Sequence, residues 1–79
     1  MSSIEELLID FIKDLKGIDK LSPDESLLRS KLIKSFDFVQ LLLFIEEKLD
    51  IQFHDDEIKP ENFETVSRIM RTINERISR

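Results

Sequence analysis

Ser35 is the residue whose position in this chain suggests covalent chemistry. It heads the stretch "SFDFVQLLLFI", in which eight of the ten residues after the serine are apolar and neither Gly nor Pro intervenes. A hydroxyl at the start of a helix lies beside unpaired backbone N–H groups and the positive end of the helix dipole. It can cap the helix, and an anion attached to it is stabilised there. A hydrolytic nucleophile is not supported. Asp37 stands close by in sequence, but the single histidine, His54, is not spaced to serve as the base, and the chain has no cysteine. The acidic run "HDDE" at 54–57 has carboxylates of the kind hard cations prefer, but lacks the glycine and spacing of a calcium loop. It reads as a solvated turn with His54 at the surface, and no metal is expected.

The serine must be held by the helix that follows, running from about Ser35 to Leu49. With Phe36 at zero on a wheel of about 100° per residue, Phe38, Leu41, Leu42, Ile45 and Leu49 gather on one side as a core stripe. Asp37, Gln40, Glu47 and Lys48 lie opposite. Phe36, Val39 and Leu43 form a flank bordered by Gln40, Glu46 and Glu47, and Phe44 falls inside the polar arc. Leaving a Leu or Phe side chain wet forgoes roughly 1.5–3 kcal/mol. Either the long preceding loop covers this flank, or it is an apolar docking strip rimmed by carboxylates, suited to apolar pockets with a basic rim.

The other elements follow from periodicity and breakers. In "SSIEELLIDFIKDLKG", Ile4, Leu7, Leu8, Phe11, Ile12 and Leu15 make one helical stripe. Ser2 or Ser3 caps it with Glu5 or Glu6 as the capping-box partner, and Gly17 stops it. Residues 18–34 form a long connection broken by Pro23, and Leu21, Leu27, Leu28, Leu32 and Ile33 are placed to pin it onto a core. A single turn in "HDDEI" ends at Pro60. The last helix begins within "ENFETV", capped by Asn62 or Thr65, with Val66, Ile69, Met70, Ile73 and Ile77 on its apolar face. The expected fold is all-α, one domain over 1–79, with three main helices, one short helix and a long first loop.

Composition removes several classes. A net charge of −5 argues against nucleic acid as partner and for a basic protein surface. Acid is dense between residues 46 and 64, while Arg68, Arg71, Arg76 and Arg79 lie near the end. With Gly17 the sole glycine, neither a phosphate-cradling loop nor a dinucleotide fingerprint can be built. The absence of cysteine, of a basic leader and of any apolar run near 20 residues leads to the expectation of a cytoplasmic monomer without membrane insertion.

The order of features in "LSPDESLLRSKLIKSFDFVQLLLFIEEKLDIQFHDDEIKPENFETVSRI" resembles the acyl carrier protein family, the small phosphopantetheine-binding domains. Pro23, Asp24, Leu32, Ser35, Phe36, Leu41, Glu46, Glu47, Phe63, Thr65 and Val66 stand where that family's pattern places such residues, over nearly the whole chain. The resemblance implies a four-helix bundle that catalyses nothing itself. It implies a 4′-phosphopantetheine arm on Ser35 holding acyl or aminoacyl groups as thioesters, and docking through Lys34, Phe36, Asp37, Val39, Gln40, Leu43, Glu46 and Glu47. The implied partners are a phosphopantetheinyl transferase, an acyl- or aminoacyl-loading ligase and acyl-processing enzymes of fatty-acid, specialised lipid or polyketide synthesis. An aminoacyl carrier (D-alanyl or peptidyl) and an unmodified helical interaction module are the alternatives.

The chain departs from the pattern around the serine. Lys34 replaces the motif's Asp, which in the family engages a basic site on the transferase. Lys31 replaces its Gly, and Gln40 stands where an acid is common. With Arg29, these make "RSKLIKS" locally basic. Phe38 faces the core where family members often have a smaller residue, and is expected to restrict the space open to a long acyl chain.

Overall fold

The computed structural model describes residues 3–78. Three α-helices, α1 (Ile4–Lys16), α2 (Ser35–Leu49) and α3 (Val66–Ile77), carry the fold, with two 3-10 turns, Asp55–Glu57 and Pro60–Phe63, between α2 and α3. The architecture is the expected all-α one; the short element is two turns rather than one.

α1 starts at Ser3, whose hydroxyl accepts the Glu6 N–H at 3.1 Å; Ser2 lies outside the described residues. Glu5 and Glu6 sit at the positive end of the helix and Lys13 and Lys16 at the negative end, which favours both termini. Gly17 ends the helix in the left-handed conformation (φ 64°) that its missing Cβ permits, and its N–H donates to the Lys13 carbonyl. Leu8 and Ile12 are buried at the centre of the stripe.

The long connection is tied down at several points. Leu27 N–H donates to the Glu64 carbonyl at 2.7 Å, Ser67 N–H to the Pro23 carbonyl at 2.9 Å, and Ile33 N–H to the Leu27 carbonyl at 2.9 Å. The Ser26 hydroxyl donates to the Glu64 carboxylate, and that of Ser67 to Asp24 Oδ1 at 3.0 Å. Leu27 and Ile33 are fully inside the core, while Leu21, Leu28 and Leu32 pack at its edge. Fastening of this kind is what lets so long a segment deliver the start of α2 to a fixed place.

Thr65 caps α3, accepting the Arg68 N–H at 3.0 Å; Asn62 instead donates its side-chain amide to the Glu57 carbonyl. Val66, Ile69 and Ile73 are buried and Met70 is half-buried. Ile77 departs from its expected core position: it sits in the last turn of α3 and is 54% exposed.

α1 and α2 run antiparallel, with Lys16 beside Asp37 and Phe11 beside Phe44. The arc of α2 assigned to solvent by the wheel is therefore partly covered by α1. Phe44 lies half-buried with its ring stacked on Phe11, centroids 4.1 Å apart, because a wheel drawn on one helix cannot show where its neighbour packs.

Candidate functional site

Ser35 is exposed, and it is the first residue of α2 rather than its cap. The cap position belongs to Lys34, in extended backbone, whose side chain has no acceptor to offer. The end of the helix is closed from the other direction: Asp37 Oδ2 accepts the Lys34 N–H at 3.2 Å. The same oxygen faces Lys16 Nζ at 2.7 Å. The Lys16 ammonium, with the Lys34 N–H second, holds the Asp37 carboxyl below the usual aspartate range. Asp37 is thus half-buried and committed within the molecule.

The flank of α2 is uncovered. Phe36 is 72%, Val39 50% and Leu43 58% exposed, so the long loop does not cover them. At i, i+3 and i+7 they share one face that begins beside Ser35. Gln40 is half-buried next to them. The two expected acids separate. Glu47 is exposed, whereas Glu46 turns inward far enough for its Oε2 to accept the Phe53 N–H at 3.0 Å. Lys31 and Lys34 are exposed at the serine end. The strip therefore runs from a cationic head, through three apolar side chains, to an acid about 18 Å away along the axis from Ser35 to Glu47.

Beside Ser35 lies an open groove of about 610 Å³. Lys31, Lys34, Phe38 and Val39 line it, as do Leu28, Ile33, Ile58 and Pro60. Leu28 and Ile33 were legible as loop anchors but not as site residues, and Ile58 and Pro60 are brought in from after α2, with no local sequence signal for either. Lys31 adopts φ 62°, the left-handed region, in the turn closed by its own N–H to the Leu28 carbonyl.

The "HDDE" turn divides. Asp55 and Asp56 are exposed, with His54 at the surface, but Glu57 is buried, accepts the His54 N–H at 2.8 Å and faces Arg76 Nε at 3.8 Å. Among the described residues no group of three or more His, Asp or Glu is placed to hold a metal ion, and no helix is long and apolar enough to cross a membrane.

This arrangement, a helical bundle presenting an exposed serine at the head of an uncovered helix face, is a carrier-protein-like fold. No protein-family model matches the chain. It is similar to the carrier protein in a crystal structure of the Bradyrhizobium japonicum glycine:[carrier protein] ligase, complexed with its cognate carrier and an analogue of glycyl adenylate. The identity is 26% over 91% of this chain and 92% of that one, with a TM-score of 0.75. A structure of the same ligase with glycylated carrier protein is matched at 28% identity, over 87% of this chain and 92% of that one, with a TM-score of 0.72. In both, the similarity is to the carrier and not to the enzyme.

Proposed function

We propose that this chain is a phosphopantetheine-dependent carrier protein. Ser35 Oγ is the attachment point for a 4′-phosphopantetheine arm, and the face Phe36–Val39–Leu43 docks on the enzymes that modify and load it. The observation that carries the reading is the continuity of the exposed Ser35 with that uncovered apolar face. The residues present suit the group. The hydroxyl is accessible, the phosphodiester's negative charge would sit at the positive end of a 15-residue helix, and Lys31 and Lys34 stand beside it. When bound, the arm supplies a terminal thiol that holds cargo as a thioester. The chain itself catalyses no step: it positions the serine, presents the docking face and leaves the chemistry to its partners.

Those partners are a phosphopantetheinyl transferase and a loading ligase. The similarity to carriers bound to a glycine ligase favours an aminoacyl or other small cargo over intermediates of fatty-acid or polyketide synthesis. The test is coexpression with a broad-specificity phosphopantetheinyl transferase followed by intact-mass measurement. A single added arm, lost in Ser35→Ala, is expected. No addition with several transferases would leave the chain as an unmodified helical module that uses the same face.

A further inference from the structure

Inward of the groove beside Ser35 stands a wall of aromatic rings. Phe38 is half-buried, and its ring meets Phe63 edge-on at 5.2 Å between centroids and 90° between planes. Phe63 in turn meets Phe53 edge-on at 5.6 Å and 85°. Phe63 is 1% and Phe53 5% exposed, so the three rings run without a break from the groove into the core. An interior packed in this way admits an added chain only by displacing side chains from their rotamers. The groove itself is open to water.

We propose that Phe38 is a specificity-determining residue, a gate that keeps cargo tethered at Ser35 out of the bundle. The chain is then a carrier for short acyl or aminoacyl groups that stay in solvent, and not for long alkyl chains folded into the protein. This rests on the carrier reading above. Long chains gain stability only where they leave water. Here the path from the tether inward ends on Phe38, with Phe63 directly behind it. Removing the Phe38 ring opens an apolar cavity continuous with the groove, and such cavities take up apolar ligands.

The experiment attaches acyl-pantetheine arms of two, six and ten acyl carbons to Ser35, using a broad-specificity transferase and the corresponding acyl-coenzyme A. Two quantities are read: the melting temperature, and the half-life of the thioester in hydroxylamine followed by intact mass. In the wild type both are expected to be flat along the series. In Phe38→Ala the melting temperature should climb by about 4 °C or more from the shortest to the longest chain. Cleavage of the longest chain should slow by about tenfold. Phe38→Leu, which keeps a packed aliphatic side chain, serves if the alanine variant does not fold and should show a smaller trend of the same sign. A wild type whose melting temperature rises and whose thioester is protected as the chain lengthens would overturn the gate. So would variants as flat as the wild type. An intact mass showing no arm on any of the proteins would instead refute the carrier reading, and this inference with it.

Discussion

Lys16 Nζ stands 2.7 Å from Asp37 Oδ2, joining the last turn of α1 to the first turn of α2 across 21 residues of sequence. The same carboxylate closes the start of α2 through the Lys34 N–H, so one side chain both links the two helices and closes the turn beside Ser35. Its pKa lies below the usual value in the folded protein, chiefly through Lys16. Because the folded value is depressed, the stabilisation is fully present above the unfolded aspartate pKa of about 3.9 and is lost as pH falls through the lower, folded value. In urea titrations, wild type should exceed Asp37→Asn by a constant margin near neutrality, and the margin should close only below about pH 4. A gap that shrinks between neutrality and mildly acidic pH would mean another group carries it.

Lys31 occupies a left-handed backbone position, φ 62°, in the turn that leads to the serine. A side chain with a Cβ is disfavoured there by roughly 1–2 kcal/mol, and glycine is not. Glycine also frees the unfolded chain, which offsets part of the gain. Lys31→Gly is therefore expected to stabilise the protein by about 0.5–1 kcal/mol in chemical denaturation. Lys31→Ala, which keeps the Cβ, should not. Equal effects of the two would assign the change to the lysine's charge.

Phe36 and Leu43 contribute little to the core, being 72% and 58% exposed. Truncating either to alanine should change stability by no more than about 0.5 kcal/mol. If the face docks partners, each truncation should lower kcat/KM for arm attachment by about tenfold, as expected when a central interface anchor is lost. The same substitution at Ile77, exposed on α3 and not part of the strip, is the control and should leave the rate unchanged.

Lys34 caps α2 with a side chain that cannot accept a hydrogen bond. The family resemblance implies a transferase with a basic site opposite this position, which a lysine repels. Lys34→Asp should accelerate modification by such an enzyme about tenfold at low salt, with the advantage shrinking above about 0.15 M as charges are screened. Asp also improves the cap, so Lys34→Ser separates the two effects. Serine should stabilise the helix by about 0.5–2 kcal/mol without the full gain in rate. Rates that follow the cap and not the charge would overturn the repulsion argument.

Much of this molecule is legible in its sequence because its signals are local. The stripe of α1, its stop at Gly17, the cap at Thr65 and the excess apolar face of α2 all follow from spacing within one element. The start of α2 misleads by one residue. Lys34 has no side-chain acceptor, so pattern reading moves to the first serine, while the carboxylate that closes the end lies three residues further on. The acids mislead for a related reason. Glu46 and Glu57 look like surface charge, but each accepts a backbone N–H, from Phe53 and His54 respectively. The groove beside Ser35 gathers Leu28, Phe38, Ile58 and Pro60 from three separate segments, and only tertiary packing brings these together.

Phe44 puts the largest such discrepancy to a test. A helical wheel leaves it among Asp37, Gln40, Glu47 and Lys48, where truncation would be nearly neutral. In the structure it stacks on Phe11 at 4.1 Å with 16° between planes, on the side of α2 that also holds the Lys16–Asp37 pair. Full removal of a core Phe costs about 3–5 kcal/mol, and a half-buried ring forfeits less area, so Phe44→Ala should cost about 2–3 kcal/mol. Phe11→Ala should cost a similar amount, and the double variant should cost less than the two single effects added, since either truncation already breaks the stack. Additive losses would show that the rings do not meet in solution, and α1 would then have to lie against a different face of α2.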